Sequence, residues 1–248
     1  MKQVIKSALI APLAASCLVG LTACNNDTNS HDVDTRWIRA EITLTSPGDG
    51  KTYFEAYLKD NNLYLELADF DNFEAEMNGQ EKELKETRDE DGNFIYKNHF
   101  DSDESGTNVR VSLYRYIEDD AHSYVDLPEP ANFVLPTNGQ AFAEDEAIDI
   151  TWSTAGISSY VTLKYTPDCS GNTQSSTEYS SILQDNGAYS TTVADLLQNA
   201  RDGITADQDC TIKLTLSRME DGDPSREFES GFIRAYQDRT ITINVPRP

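Results

Sequence analysis

Apolar and polar side chains alternate with a period of two through most of this chain, and that commits it to sheet. Ile38, Ala40, Ile42 and Leu44 fall on one face of a first strand, with Arg39, Glu41 and Thr43 on the other. Tyr53–Leu58 follows, then Leu63, Leu65 and Leu67 alternating with Tyr64 and Glu66, after the polar turn Lys59–Asp60–Asn61–Asn62. Asp91–Gly92 suits a hairpin turn ahead of Asn93–Phe100, and further strands fall at Val109–Leu113 and Val125–Leu127. The second half repeats the pattern at Ile148–Trp152, Val161–Tyr165, Ile212–Leu216 and Ile241–Val245. Only Ala194–Ala200 reads as a helical turn. A strand with one apolar face must bury it against a second layer, so short strands at this spacing predict an all-β fold of antiparallel β-sandwiches.

The first 24 residues follow different rules. Lys2 and Lys6 form a basic opening, Ser7–Leu21 is an apolar run, and Leu21–Thr22–Ala23–Cys24 ends it in small residues before a Cys. That order reads as a secretory signal. An uncleaved membrane helix is the alternative, but the run is short of the ~20 residues a span needs and carries Pro12. Cleavage before Cys17 is a second one, and Ala14–Ala15–Ser16 lacks a large aliphatic residue. Leu21–Cys24 resembles the bacterial lipobox, in which the Cys is acylated on sulfur and becomes the first mature residue. The resemblance implies a lipid anchor at Cys24, with two or three acyl chains giving stable attachment. Asn25, where an Asp would favour inner-membrane retention in Gram-negative lipoproteins, implies the outer membrane.

Asn25–Asp34 has one aliphatic residue, Val33, and no aromatic, so it is expected to be a solvated tether. The predicted partition is a signal peptide at 1–23, a lipidated tether at 24–34, a first sandwich at 35–127 and an immunoglobulin-like second sandwich at 128–248. Pro128–Glu129–Pro130 marks the junction, because proline cannot donate to a ladder. Val111–Ser112–Leu113–Tyr114–Arg115 also matches Leu214–Thr215–Leu216–Ser217–Arg218, as tandem related sandwiches would.

Processing after Ala23 takes away two lysines and no acid, moving the net charge from −23 to −25. Such an excess argues against nucleic acid, which requires clustered Lys and Arg. It also argues against a body lying flat on anionic lipid. Besides the anchor, the mature cysteines are Cys169 and Cys210, which in an oxidising envelope form one disulfide.

Pro136–Thr137–Asn138–Gly139–Gln140–Ala141–Phe142, then Ile148–Trp152 and Val161–Tyr165, resemble the start of immunoglobulin-like or fibronectin type III-like domains of secreted bacterial proteins. That resemblance implies that Trp152 packs between sheets. A disulfide from Cys169 to Cys210 departs from the antibody arrangement, so it extends to architecture and not to antibody topology. The whole layout resembles bacterial outer-membrane lipoproteins with tandem modules of this kind.

Chemistry is sparse. His31, His99 and His122 are the three histidines, and no Gly-x-Ser-x-Gly or phosphate-binding glycine loop occurs. With 43 acids, two facing carboxylates arise by chance and do not identify a glycosidase. Asp89–Glu90–Asp91–Gly92–Asn93 has the alternation of a calcium loop but Phe100 where the closing Glu would stand. Asp69–Phe70–Asp71 and Asp101–Ser102–Asp103–Glu104 are further acidic clusters. Tyr64, Tyr114, Tyr116 and Trp37 are candidate platforms for sugar rings. The expected role is a non-enzymatic binding or structural component of the envelope without cofactor or metal. Its partners would be the membrane and an envelope protein or glycan; the alternatives are a carbohydrate-binding module and, behind it, a hydrolase.

Overall fold

The computed structural model describes residues 28–155, 159–169, 177–198 and 209–246. The leader at 1–23 and Cys24 lie outside the described residues. The first half forms β1 (Thr28–Asn29), β2 (Ile38–Ser46), β3 (Thr52–Asp60), β4 (Leu63–Glu66), β5 (Asn72–Met77), β6 (Gln80–Glu83), β7 (Lys85–Arg88), β8 (Phe94–Phe100), β9 (Asn108–Tyr114) and β10 (Ala121–Asp126). The second half forms β11 (Phe133–Leu135), β12 (Ala147–Trp152), β13 (Tyr160–Cys169), β14 (Tyr179–Gln184), β15 (Ala188–Thr192), a short helix α1 (Val193–Gln198), β16 (Cys210–Asp221) and β17 (Ser230–Val245).

These strands make an all-β sandwich with an unequal pair of layers. One ten-stranded sheet runs β1-β4-β3-β2-β17-β16-β13-β14, with β8 added to β3 and β7 to β8. A four-stranded sheet, β10-β9-β5-β6, closes the first core over Ile42, Leu44, Phe54, Phe73, Tyr96 and Leu113. A three-stranded sheet, β11-β12-β15, belongs to the second core, with Ile148, Ile150, Trp152, Leu163, Leu214 and Leu216. Along β17 the buried positions are Ile233, Ala235, Gln237, Ile243 and Val245. All are odd-numbered, so both small sheets pack on one face of the long sheet, since residues two apart share a face.

The last strand departs from the predicted partition. Arg234–Val245 of β17 pairs with β16, antiparallel, while Ser230–Gln237 pairs with Arg39–Ser46 of β2, parallel, so the two ladders overlap at residues 234–237. Phe228, Ile233 and Ala235 belong to the first core and Ile243 and Val245 to the second. A cut at residue 127 therefore does not separate the two cores, because the chain returns from the second to complete the first. The return needs a close approach: a Cβ on Gly231, at φ +141°, would sit 1.9 Å from the Ala40 carbonyl oxygen.

The expected tether differs as well. Thr28–Asn29 pairs parallel with Leu65–Glu66, and two 3-10 turns, Ser30–Asp32 and Thr35–Trp37, carry the chain into β2. Ser30 and Val33 are buried. Composition failed there because the segment is held by polar contacts supplied from elsewhere in the fold, not by apolar surface of its own.

Candidate functional site

Those contacts converge on Arg115, at the end of β9. Its guanidinium is buried and donates to the Ser30 carbonyl at 2.6 Å, the Val33 carbonyl at 2.9 Å and the Thr35 hydroxyl at 3.3 Å. Its Nε stands 2.9 Å from Asp71 Oδ2 in a buried ion pair. Ser30 Oγ donates to the same carboxylate at 2.7 Å and accepts from the Ala68 N–H at 2.8 Å. The Tyr116 N–H donates to Asp71 Oδ1 at 3.1 Å. Two loops, 67–71 and 115–120, and the first described turn are thus fastened into one end of the molecule.

That end carries unburied aromatic surface. Phe70 and Tyr116 are 75% and 72% exposed, and their ring centroids lie 5.3 Å apart, tilted by 37°. Ile117 follows at 55% exposure, and Trp37, also exposed, lies under the Arg36 guanidinium. Thr35 Oγ1 donates to the Asp119 carbonyl at 2.8 Å, which seats the Trp37 turn against the 115–120 loop. Of the four predicted platforms, Tyr116 and Trp37 are therefore at this end. Tyr64 is half-buried edge-on to Tyr57 with Lys59 Nζ 4.8 Å from its centroid, and Tyr114 packs edge-on to His122.

The acidic clusters serve internal contacts. Asp89 Oδ1 accepts from the N–H groups of Asp91 and Asn93, and Oδ2 from the Tyr57 hydroxyl and the Asn93 amide. Burial alone would raise the Asp89 pKa, but these bonds outweigh it and hold the carboxyl below its usual range. The Tyr57 phenol is in turn pushed up to about 12, by burial and by the bond to Asp89. Asp71 is taken by Arg115, and the Asp103 carbonyl accepts from Gln237. Among the described residues, no group of three or more His, Cys, Asp or Glu is placed to hold a metal ion.

His122 Nδ1 lies 2.9 Å from Ser112 Oγ, a separation a nucleophile and its base could share. Yet Ser112 is 2% exposed and directly opposite His122 in the β9–β10 ladder. No substrate carbonyl can reach it, so this is a cross-strand packing pair. His99 packs beside Tyr53 with the rings tilted by 34°, and Asp101 lies 3.8 Å from its Nε2.

Sequence reasoning missed a polar depression of about 190 Å³ on the outer face of the four-stranded sheet. The ladder register sets Glu76, Arg110 and Tyr124 side by side across β5, β9 and β10. Asn78, Gly79 and Asn108 complete its lining. Arg110 Nη2 pairs with Glu76 at 2.6 Å and Glu81 at 3.1 Å, while Tyr124 keeps 42% of its surface exposed. An open hollow of about 450 Å³ also lies beside the second core, between Asp168, Asp209, Thr211 and Asn244. The Cys169–Cys210 disulfide adjoins it, joining residues directly opposite in the β13–β16 ladder.

Comparison with known proteins adds little at this depth. No protein-family model matches the chain, and neither does any curated protein. Among solved structures, the chain is similar to the FN1–FN3 domains of chicken CNTN1 at 8% identity and a TM-score of 0.31, over 87% of this chain and 68% of that one. A cytokine receptor complex gives 9% and 0.31, over 84% and 95%. A DUF4785 family protein of Legionella pneumophila gives 14% and 0.27, over 71% and 51%. At these scores the likeness bears on neither topology nor function, and the sandwich is read from its own strands and cores.

The second core has a counterpart to Arg115. Arg218, near the outer end of β16, pairs with the fully buried Asp185 at 2.7 Å and donates to the carbonyls of Glu129 and Ser153. Trp152 Nε1 donates to Asp185 at 2.7 Å. Each arginine fastens the segment entering its own core: residues 30–35 for Arg115, the Pro128–Pro130 junction for Arg218. The sequence signal was present, since the two matched pentapeptides both end on these arginines.

Proposed function

We propose that this chain is an outer-membrane lipoprotein, anchored through acylated Cys24, whose β-sandwich body is a non-enzymatic binding or structural component of the envelope. The observation that carries the reading is the fastening of Ser30. The expected export signal ends before Cys24, and the chain, already paired at Thr28–Asn29, is fastened by Arg115 at Ser30, six positions on. A body that begins so close to its anchor suits a membrane-apposed part better than a freely swinging one. Membrane and envelope partners follow from the anchor, and the net charge of −25 after processing opposes nucleic acid. The test is intact-mass analysis of the mature protein purified from membranes. Residue 24 carrying thioether-linked diacylglycerol supports the reading, with a Cys24→Ala chain recovered in the soluble fraction. A first residue other than Cys24, without lipid, overturns it.

A second reading, a carbohydrate-binding module, is favoured by the Tyr124 depression. A half-exposed phenol ring beside Arg110, Glu76 and two amides offers a stacking face and directional hydrogen bonds. The hollow is smaller than the ~300 Å³ at which ligand clefts usually begin, so it has room for one ring. In affinity electrophoresis against envelope polysaccharides, Tyr124→Ala is expected to abolish retardation without changing the thermal midpoint. Equal migration of both proteins in every gel would dismiss the module.

A further inference from the structure

We infer that the Phe70–Tyr116 end of the body is a membrane-contact surface, seated at the boundary between phospholipid headgroups and acyl chains. The inference rests on the lipid-anchor reading and deepens it.

Three observations carry it. First, the surface is apolar where the chain around it is not: Phe70 lies between Asp69 and Asp71, and Tyr116–Ile117 precedes Glu118–Asp119–Asp120. Aromatic rings ringed by carboxylates serve neither a core nor a solubilising loop. Amphipathic rings at headgroup depth, with charged groups left in water, are how proteins meet a bilayer surface.

Second, the rings are held in place. The Tyr116 N–H is bound by Asp71 and the Arg115 N–H by Asp120, so the loop tip is set by the same network that buries Arg115. A presented ring pair costs less ordering on contact than a loose one.

Third, the chain length fixes where the anchor can be. Ser30 is bonded to Ala68 and Asp71, the residues that bracket the Phe70 turn, and six peptide steps separate it from Cys24. Fully extended they reach about 20–22 Å. The bilayer surface that takes the acyl chains is thus never farther than that from this end of the body. At such separation the effective lipid concentration is high, and a weak ring contact is enough. The acids around the rings, Asp69, Glu118, Asp119 and Asp120, make the preferred surface zwitterionic. An anionic bilayer would repel them at low salt and less so at high salt.

The sequence contains only Trp37 and Trp152, which makes the contact measurable. The acylated full chain carrying Trp37→Phe is prepared with Phe70→Trp or, as a control, Ile182→Trp. Phe70 and Ile182 are 75% and 77% exposed, so neither change disturbs a core. Ile182 is on β14, at the opposite end of the long sheet from β1. Seven interstrand steps of about 4.8 Å put it roughly 34 Å away. Both proteins are reconstituted into phosphatidylethanolamine–phosphatidylcholine vesicles with brominated acyl chains.

Emission from the residue-70 reporter is expected to fall about two-fold, as for a ring at the headgroup–acyl boundary, and that from residue 182 to stay constant. Tyr116→Ser with Ile117→Ser should relieve the quenching, and replacing a third of the lipid with phosphatidylglycerol should weaken it at low salt. Intact mass is recorded on the same samples. Acyl present with no quenching at residue 70 overturns the contact and leaves the anchor standing. Equal quenching at both reporters also overturns it, because the body then lies along the sheet. Absence of acyl at Cys24 removes the anchor and the contact together.

Discussion

Asp185 is the residue on which the second core's polar interior depends. It is fully buried, which by itself would raise its pKa. Donation from Trp152, Ala155 and Ser159 and the charge of Arg218 outweigh that cost and hold the carboxyl below its usual value. A folded pKa below the unfolded one means the ionised form is bound more tightly in the native state. That stability is fully present above the unfolded value near ~4 and is lost as pH falls through the lower folded value. Asp185→Ala leaves Arg218 buried without its partner, and the expected loss is about 3–5 kcal/mol at neutral pH. Thermal midpoints measured down from pH 7 should decline steeply below about pH 4 in the parent and more shallowly in the variant. Parallel acid limbs would mean that Asp185 gains nothing from its four partners. Trp152 was legible as a core residue from alternation alone. Asp185 was not, and the matched pentapeptides marked Arg218 without its partner, because a buried ion pair separated by 33 positions leaves no local pattern and both residue types read as surface.

At the scale of elements, legibility followed the period. β2, β12 and the central part of β13 alternate cleanly, and their buried faces are those the alternation assigned, while β9 buries Ser112 as well as its apolar face of Val109, Val111 and Leu113. The first half of β17 was missed. Its inward face is Ile233, Ala235 and Gln237, of which only one is large and apolar, and Gly231 stands near its start. Glycine in such a run reads as a loop; here it admits the Ala40 carbonyl and lets two strands pair in parallel. Gly222 does the same for β10: a Cβ there would lie 2.2 Å from the Tyr124 carbonyl, where the β16–β17 connection pairs with the small sheet through Tyr124 and Asp223. The exposed ring pair was half visible. Tyr116 stood out as a platform, whereas Phe70 was counted only within an acidic cluster, since sequence cannot show that the loops of residues 67–71 and 115–120 meet.

Taken as a whole molecule, the body is one sheet with two lids. Pro128–Glu129–Pro130 does mark the chain's passage from one core to the other, but nothing in the sequence announces that residues 228–235 come back. A returning strand has consequences for how the two cores stand to each other. Arg239 donates to the Ser46 carbonyl and to Asn132, and Gln237 to the Asp103 carbonyl, so the middle of β17 is pinned from both sides of the junction. The second core is thereby held in fixed relation to the first, and through it to the Phe70–Tyr116 end. If β17 is integral to the first sandwich, a fragment of residues 28–127 lacks Phe228, Ile233 and Ala235 and leaves β2 without its parallel partner. Losing Phe228 and Ile233, each worth up to ~1.5–3 kcal/mol, and the Ala235 methyl at about 0.8 kcal/mol removes a large part of the ~5–15 kcal/mol that keeps a domain folded. The fragment is expected to show collapsed amide dispersion by NMR and no cooperative urea transition. Residues 222–237 rejoined after a flexible linker should restore both. A dispersed spectrum from 28–127 alone would make the first sandwich complete without the returning strand, and the second core would then be free to move on the Pro128 junction.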